Sequence, residues 1–398
     1  MHHPIGFDKR ILRTEVQDFI WKNQRTDIVS LLLQKPVFQD ISNRALAQQL
    51  EARKKCETKL PKWFGTKGIY YPNKLSIEQS SSEIAAKYKS QLVSGESLID
   101  ATGGFGVDSY YFSSQMAQIY HCEIDPRLSK IAAHNLKVLK AENIRTIPTD
   151  GIQFLRDSTS YFNWIYLDPS RRSVTEGRVF RLSDYRPNIL EDLGLLFAKS
   201  DNILLKTSPL LDFSIGISEL GAVKEIHVVA VKNEVKELLW ILKKGYAGDM
   251  MVKTVNFSNR GTETFEYPLS EEKSTRVEYA LPLSYIYEPN AAILKSGAFK
   301  TVSKRFHLKK LHEHTHLYTA DELIDFPGRR FKVKVVLPYN KKQIKRLGLK
   351  KANISTRNFP ESVAEIRKKF GIGDGGDTYL FFATLTNEVR TVLLCSKE

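Results

Sequence analysis

Apolar residues recur at helical spacing through the first 60 residues of the chain and at strand spacing through much of the remainder. The segments DFIWKNQRTDIVSLLLQ and ISNRALAQQLEARKKCETKL predict amphipathic helices, and Ser42 stands where it can cap the second helix. An irregular connector, LPKWFGTKGIYYP, follows them. The pattern therefore predicts an N-terminal helical region over residues 1–75.

From residue 97 onwards, short apolar runs that end in polar residues or glycine alternate with amphipathic segments. SLIDATGGFG, IYHCEIDP, NWIYLDP and NILLKTSP have the composition of strands, and RLSKIAAHNLKVLKAENI has the spacing of a helix. Strands that alternate with helices predict a mainly parallel sheet covered on both faces. Ligands of such sheets bind beyond the carboxyl ends of the strands.

After about residue 255 the pattern changes to shorter segments that are rich in Thr, Tyr and Lys. FKVKVVLPY alternates like a half-buried strand, and YLFFATLTN with VRTVLLCSK predicts a terminal hairpin. KKQIKRLGLKK and ESVAEIRKKFG predict basic helices. We interpret this part of the chain as an α+β region distinct from the central sheet.

Three histidines, His312, His314 and His316, alternate in HLKKLHEHTH as residues on one face of a strand do. Such a set invites interpretation as a metal site, but no cluster of cysteines or acids accompanies it. We therefore expect a surface strand here, and no metal.

Composition narrows the class of protein. Hydrophobic residues make up 42% of the 398 and charged residues 26%, as in globular proteins. No window approaches the roughly 18 uninterrupted apolar residues of a membrane span, and MHHPIGFDKRILRTEV lacks the apolar core of a secretory signal. The three cysteines show no CxxC spacing, so we expect a cytoplasmic protein with reduced thiols and no zinc site.

The net charge of +15 is concentrated towards the C-terminus. Residues 281–398 contain 22 Lys/Arg and 11 Asp/Glu. A polyanion such as RNA would be drawn to this region through phosphate contacts and the release of counterions. A basic surface without a specific partner is the alternative.

A glycine-rich turn, DATGGFG, follows the first predicted strand and precedes a helix. A phosphate-binding P-loop is excluded because no GK[ST] follows, and the GxGxxG spacing of dinucleotide-binding proteins is absent. What remains is either the D-x-x-x-G-x-G loop of S-adenosylmethionine enzymes or a structural glycine turn. In the first case the cofactor-binding residues here are Asp100, Thr102, Gly103, Gly104 and Gly106.

Acids end the next two predicted strands. Glu123 in CEID lies where a carboxylate accepts hydrogen bonds from both ribose hydroxyls of an adenosine cofactor. Asp125 is expected to cap the following helix. Asp150 in TDG is a candidate acceptor for the adenine amino group. Each acid alone would more often be a helix cap or a solvated loop residue, but their order at successive strand ends favours a binding site.

With DATGGFG, CEIDP, TDG and LDPSRR in order, residues 76–255 resemble the class I S-adenosylmethionine-dependent methyltransferases. The resemblance implies a seven-strand Rossmann-like sheet and S-adenosylmethionine as the cofactor. Together with LSIEQSSSE, KTSPLLD and YIYEPNAAILKSG, the chain is also similar to a bacterial group of methyltransferases that carry a C-terminal THUMP-like domain. THUMP domains accompany RNA-modifying enzymes, so this resemblance implies RNA as the partner of the basic region.

The tetrapeptide at Asp168 stands where amino-methylating enzymes have [DN]-P-P-[YFW]. In that family the acid or amide holds the target amine, and the aromatic residue stacks on the base. This chain keeps Asp168 and Pro169 but has Ser170 and Arg171 in place of the second proline and the aromatic residue. Arg171 or Arg172 can stack on a base or pair with a phosphate, or else form a salt bridge to a neighbouring helix.

The strand that ends in LLKTSP brings Lys206 to the same edge of the sheet, where it is a candidate substrate-binding residue or a solvated strand end. No cysteine lies near this strand end. The cysteine nucleophile that uridine C5 methylation requires is therefore missing. We expect the acceptor pocket to be formed by Asp168, Pro169, Ser170, Arg171, Arg172 and Lys206.

The sequence thus predicts an α/β protein with a Rossmann-like seven-strand methyltransferase sheet, an N-terminal helical region and a C-terminal α+β region. The expected domains are residues 1–75, a methyltransferase domain at 76–255, a ferredoxin-like linker domain at 256–335 and a THUMP-like domain at 336–398. The expected activity is methylation of a base nitrogen of tRNA or rRNA. The alternatives are a methyltransferase for a protein or a small metabolite, and a non-catalytic RNA-binding protein that retains the cofactor fold.

Overall fold

The computed structural model describes residues 7–171 and 181–398. The chain divides into two compact units, which we describe separately. The first comprises Met1–Val223 with Leu239–Tyr246, and the second comprises Lys224–Leu238 with Ala247–Glu398. Among the described residues, no helix combines the length and the apolar character needed to cross a membrane.

The first unit begins with the helices that the apolar spacing predicts. Ser42 accepts a hydrogen bond from the backbone N–H of Ala45 and so caps the third helix, as expected. Leu46, Leu50 and Trp63 from these helices are fully buried in a shared core. The helices are α1 (Thr14–Lys22), α2 (Ile28–Leu33), α3 (Asn43–Lys59), α4 (Pro61–Phe64), α5 (Lys74–Gln79) and α6 (Glu83–Ser90), after a 3-10 turn at Lys9–Leu12.

An alternation of strands and helices follows, which confirms the predicted α/β class. The elements are β1 (Gly95–Asp100), α7 (Val107–Phe112), β2 (Met116–Cys122), α8 (Pro126–Val138), β3 (Ile144–Ile147), α9 (Gly151–Asp157), β4 (Trp164–Leu167), β5 (Ser170–Arg171), β6 (Tyr185–Arg186), α10 (Ile189–Lys199), β7 (Asn202–Thr207) and α11 (Phe213–Leu220). A 3-10 turn at Leu182–Asp184 precedes β6.

Five of these strands form a parallel sheet in the order β7-β4-β1-β2-β3. The register sets Asp100 opposite His121 of β2 on one side and Tyr166 of β4 on the other. Because all five strands run in the same direction, their carboxyl ends meet at one edge of the sheet. That edge carries the residues which the sequence singles out.

The second unit starts with strands that pair in a mixed arrangement. β8 (Val223–Val231) pairs in parallel with β10 (Met251–Ser258), which pairs antiparallel with β11 (Gly261–Pro268). β9 (Glu234–Lys243) begins in the second unit and ends in the first. Helix α12 (Leu269–Ser274) follows β11.

The rest of the second unit is a seven-stranded sheet in the order β13-β14-β12-β15-β18-β17-β16 with four helices. The predicted terminal hairpin is present as β17 and β18, which pair antiparallel. Its elements are β12 (Tyr285–Pro289), α13 (Ala291–Ser296), α14 (Phe299–Arg305), β13 (Lys309–Lys310), β14 (Tyr318–Ala320), β15 (Gly328–Pro338), α15 (Lys341–Arg346), β16 (Asn353–Arg357), α16 (Val363–Phe370), β17 (Thr378–Thr384) and β18 (Arg390–Lys397).

The expectation of a surface strand at the three histidines is wrong. His312, His314 and His316 lie in the turn between β13 and β14. His316 has a left-handed backbone with φ of 52°, and its ring stacks on Phe299 with the centroids 3.7 Å apart. The Nε2 atom of His312 instead lies within hydrogen-bond distance of Oε1 of Glu388, at 2.9 Å. A left-handed residue ends the alternation of a strand, so the three histidines do not form a strand.

Candidate active site

The glycine loop, residues 100–106, is tied to the strands on both sides of β1. The N–H of Ala101 donates to the carbonyl oxygen of Tyr166 at 3.0 Å, and the N–H of Gly103 donates to that of Cys122 at 2.7 Å. Gly104 and Gly106 both have positive φ, at 57° and 84°. Residues with side chains rarely adopt this backbone conformation, so the path of the loop requires glycine at both positions.

Asp100 is buried and supports the glycine loop by hydrogen bonds. Its carboxylate accepts hydrogen bonds from the hydroxyl of Ser109 at 2.6 Å and from the N–H of Thr102 at 3.2 Å. Ser109 also bonds Nδ1 of His121 at 2.9 Å. Burial raises the pKa of Asp100 to about 7 and lowers the pKa of His121 to about 4. Both side chains are buried, and the hydrogen bonds of Asp100 support the loop.

The His121 ring also explains why Gly103 has no side chain. A Cβ built on Gly103 would lie 2.2 Å from Cε1 of that ring. The Nε2 atom of His121 is buried without a hydrogen-bond partner among the described residues. The ring is therefore packed directly against the loop, and close packing sets the position of the loop backbone.

Glu123 is half-buried and receives two backbone hydrogen bonds. Gly104 donates to its Oε2 at 2.8 Å and Asp125 donates to its Oε1 at 2.7 Å. Burial raises the pKa of Glu123 above its ordinary value, although these two N–H groups oppose that shift. Asp125 caps α8 by accepting from the N–H of Arg127, as the sequence predicts. Glu123 thus lies directly beside the glycine loop.

Asp150 is exposed and caps α9, since its Oδ1 accepts from the N–H groups of Ile152 and Gln153. The next residue, Gly151, approaches the glycine loop very closely. A Cβ built there would lie 2.2 Å from the carbonyl oxygen of Ala101. The turn after β3 is therefore held against the glycine loop by direct backbone contact.

Asp168 and Lys206 are brought together at the ends of β4 and β7. The ammonium Nζ of Lys206 lies 2.5 Å from Oδ2 of Asp168, and both side chains are partly buried. The N–H of Asp168 donates to the hydroxyl of Thr102 at 2.6 Å. Asp168 is therefore bonded both to the glycine loop and to a cation on the neighbouring strand.

The remaining predicted acceptor residues follow directly in the chain. Pro169 is buried and Ser170 is exposed. Ser170 and Arg171 pair antiparallel with Arg186 and Tyr185 in a two-stranded sheet. Arg172 lies outside the described residues.

Sequence reasoning missed a buried polar cluster beside this edge. The buried cluster consists of Ser81, Lys89, Asp108 and Tyr166, in which Lys89 forms an ion pair with Asp108. Asp108 follows the glycine loop within the motif GFGVD. A carboxylate in the first turn of a helix is usually solvated. The position of Asp108 in the sequence therefore does not indicate that its side chain is buried.

Cysteine chemistry is not supported at this site. Cys56, Cys122 and Cys395 are all buried. Burial raises the pKa of each of these thiols to about 12, so all three are protonated at neutral pH. The described residues also contain no group of three His, Cys, Asp or Glu side chains that would hold a metal.

With this geometry established, comparisons with known proteins define the class. A family model described as a ferredoxin-like domain matches residues 285–327, and one described as THUMP domain-like matches residues 328–397. A crystal structure described as a "putative methyltransferase" from Porphyromonas gingivalis W83 is 32% identical. It covers 99% of this chain and 100% of its own, with a TM-score of 0.90.

Two curated relatives from Mycobacterium tuberculosis, strains CDC 1551 and H37Rv, are described as uncharacterized S-adenosylmethionine-dependent methyltransferases. Each is 22% identical over 258 residues, and the match spans 62% of this chain and 65% of the relative's length. The chain belongs to the family of S-adenosylmethionine-dependent methyltransferases that carry a C-terminal THUMP-like domain.

The residues at the edge of the sheet suit S-adenosylmethionine. A carboxylate such as that of Glu123 can accept hydrogen bonds from ribose hydroxyls. Gly103 and Gly104 leave the adjacent backbone uncovered by side chains. A Cβ built on Gly104 would meet no described atom closer than 3.9 Å, so the space in front of the loop is open to a ligand.

Proposed function

We propose that the protein transfers a methyl group from S-adenosylmethionine to a base nitrogen of tRNA or rRNA. The observation that carries this proposal is the position of Asp168. Its carboxylate is paired with Lys206, and its backbone N–H is bonded to Thr102 of the glycine loop. A hydrogen-bond acceptor for an amine is thereby held beside the loop where we propose that the cofactor binds.

S-adenosylmethionine, when bound, supplies an electrophilic methyl group. Asp168 accepts a hydrogen bond from an N–H of the target and so orients the nitrogen lone pair. The same carboxylate stabilises the positive charge that develops on this nitrogen during transfer. Lys206 holds the carboxylate in one orientation. The nitrogen releases its proton to water after the transfer, so no general base is obligatory.

We propose that Asp100, Thr102, Gly103, Gly104, Gly106, Glu123 and Asp150 form the cofactor side of the pocket. In this proposal Glu123 binds the ribose hydroxyls and Asp150 accepts from the adenine amino group. Asp100, which is buried, acts by holding Thr102 and the loop in place. Arg171 and Arg172 take the place of the stacking aromatic residue and contact a base or a phosphate of the substrate.

RNA as the substrate class is supported by a basic surface on the THUMP-like region. The six cationic side chains of this basic surface are all exposed, and none of them forms an ion pair with another described residue. By contrast, nearby Arg367 and Lys369 are paired with Asp374 and Glu361. Unpaired cations are free to contact phosphates. The basic surface consists of Lys341, Lys342, Lys345, Arg346, Lys350 and Lys351.

Methyl transfer into RNA tests the proposal directly. Total RNA from a strain that lacks the gene is incubated with the protein and radiolabelled S-adenosylmethionine, and the labelled nucleoside is then identified by mass spectrometry. We expect label in an N-methylated nucleoside of tRNA or rRNA, and loss of labelling with Asp168→Ala. No label in any RNA fraction would contradict the RNA proposal.

Calorimetry with S-adenosylmethionine tests the cofactor side independently of any acceptor. Glu123→Ala removes the acceptor for the ribose hydroxyls and also frees the N–H of Gly104. We expect affinity to fall roughly 10- to 100-fold, as for loss of charged hydrogen bonds. Glu142→Ala, at an exposed position, is the control. Equal binding by wild type and Glu123→Ala would contradict the assignment.

A further inference from the structure

The buried cluster contains two charges that are shielded from solvent. The side chain of Lys89 is 0% exposed and that of Asp108 is 10% exposed, and the ion pair between them measures 3.0 Å. Lys89 also donates to the hydroxyl of Ser81 at 2.6 Å. Burying such a pair costs much of the free energy of hydration of both ions, so it is a poor source of stability by itself.

Asp108 gives the cluster a defined geometry. Its Oδ2 accepts hydrogen bonds from the hydroxyls of Tyr166 at 2.8 Å and Ser81 at 2.9 Å. Hydrogen bonds to a buried carboxylate are strong and directional. Because Lys89 balances the charge of Asp108, the carboxylate can remain ionised at this buried position.

These bonds join the two sides of the proposed pocket. Asp108 lies two residues after Gly106, in the first turn of the helix that follows the glycine loop. Tyr166 lies two residues before Asp168 in β4. The bond from Tyr166 to Asp108 therefore connects the start of that helix to the strand that leads into Asp168. The bond between Asp168 and Thr102 is a second connection.

Electrostatics supports the same arrangement. Burial alone would raise the pKa of Asp108, but the ammonium groups of Lys89 and Lys206 lower it to below its ordinary value. Lys206 in turn pairs with Asp168. Charges of opposite sign thus alternate along the series Lys89, Asp108, Lys206 and Asp168.

We infer that Asp108 is a positioning residue for the methyl-acceptor site, which it aligns with the glycine loop through Tyr166. The inference rests on the proposed function for the role of Asp168, and it adds Asp108, Lys89 and Tyr166 to the residues on which that role depends. Asp108 acts on Asp168 through the strand, not by contact with the substrate.

Tyr166→Phe is the most conservative test because it removes one hydroxyl and keeps the ring. Its matched control is Tyr267→Phe, since Tyr267 is fully buried and donates a single 2.8 Å bond to the carbonyl oxygen of Ser296. We expect Tyr166→Phe to lower kcat for methylation of total RNA roughly tenfold, with an unchanged KM for S-adenosylmethionine, because the acceptor acid is displaced.

A second readout does not depend on activity: the rate at which acetic anhydride acetylates Lys206 in the full-length protein. Mass spectrometry of the peptide that contains Lys206 measures this rate. We expect Lys206 to react severalfold faster in Tyr166→Phe than in wild type or Tyr267→Phe, because its partner Asp168 is held less firmly. Equal reactivity of Lys206 in all three proteins, with only a lower melting temperature in Tyr166→Phe, would overturn the inference.

The double variant Lys89→Met with Asp108→Leu removes both buried charges together, leaves neither ion unpaired and removes the acceptor of the Tyr166 hydroxyl. It should fold and show the same faster acetylation of Lys206, whereas wild-type reactivity would count against the positioning role. If the wild-type protein methylates no RNA, the proposed function fails. The acetylation rates still decide whether Asp108 and Tyr166 hold the Lys206–Asp168 pair.

Discussion

At the scale of single residues, the glycine loop depends on side chains that are buried in the protein interior. Asp100, Ser109 and His121 form a buried chain of hydrogen bonds under the glycine loop. The pKa of the acid is raised to about 7 and that of the histidine is lowered to about 4, so both side chains favour their neutral forms between these two values. Neutral groups can be buried here at a lower cost than ions.

This chain of hydrogen bonds predicts a pH dependence of stability. The pKa of Asp100 rises from 3.8 to about 7 on folding, so the folded protein keeps a proton that the unfolded chain loses. Its contribution to the free energy of unfolding therefore falls as pH rises from about 4 to about 7. His121 acts in the opposite sense, because its pKa falls from 6.5 to about 4 and acidification favours the unfolded chain.

Asp100→Asn should therefore unmask the contribution of His121. Between pH 4 and pH 6.5 the two contributions oppose each other in the wild type, whereas the variant should gain stability steadily as pH rises. Urea unfolding at intervals from pH 4 to pH 8 measures this difference. Glu142→Gln, at an exposed position, should follow the wild-type curve. Parallel curves for wild type and Asp100→Asn would contradict the expected titration.

At the scale of elements, the succession of strands along the chain and the acids at their ends could be predicted from the sequence. Both follow from local patterns of apolar, glycine and acidic residues. The turn at His312 was predicted as a strand because alternation along the chain does not register the left-handed backbone of His316. The buried cluster was missed for a related reason. Lys89 and Asp108 pair with each other although they are distant in sequence, and no local pattern shows that pairing.

The contact between the turn after β3 and the glycine loop predicts the effect of a single methyl group. Gly151→Ala places a Cβ 2.2 Å from the carbonyl oxygen of Ala101, so two backbone segments must separate. We expect a loss of about 1–3 kcal/mol of unfolding free energy and weaker binding of S-adenosylmethionine. Denaturant unfolding and calorimetry measure the two effects.

Gly194→Ala in α10 provides a matched control. No described atom lies within 4 Å of a Cβ built at Gly194, and alanine favours a helix over glycine by about 1 kcal/mol. This variant should be as stable as wild type or slightly more stable, and its cofactor affinity should be unchanged. Similar losses in both glycine variants would show that the close approach of Gly151 to the loop has no special importance.

At the scale of the whole molecule, charge is distributed unevenly along the chain, and this was apparent from the sequence. The structure shows, in addition, which cations are available to bind phosphates and which are already paired with acids. Those of the basic surface are exposed and unpaired among the described residues, whereas Arg329 and Arg357 are both held by the buried Glu288. Composition cannot separate these two groups, because a count of residues does not record their pairing.

The basic surface predicts how RNA affinity should depend on salt. Replacing Lys341, Lys342 and Lys345 together by alanine should weaken tRNA binding and reduce the slope of log K against log salt by about one for each phosphate that is no longer neutralised. Filter binding between low and moderate salt measures the slope. Lys54, Lys130 and Lys137, which are exposed in the first unit, provide an equal change of charge as a control. Identical slopes for the two triple variants would refute a specific RNA surface.

The hydrogen bond between the hydroxyl of Thr102 and the N–H of Asp168 has a consequence for how the two ligands of the enzyme affect each other. In the proposed function, Thr102 belongs to the loop on the cofactor side and Asp168 is the acid on the acceptor side. A ligand that shifts the loop therefore also shifts the acid, and thermodynamic linkage requires the effect to be equal in the reverse direction. With the proposed assignment of the two sites, we therefore expect occupancy of either site to change the affinity of the other by the same factor.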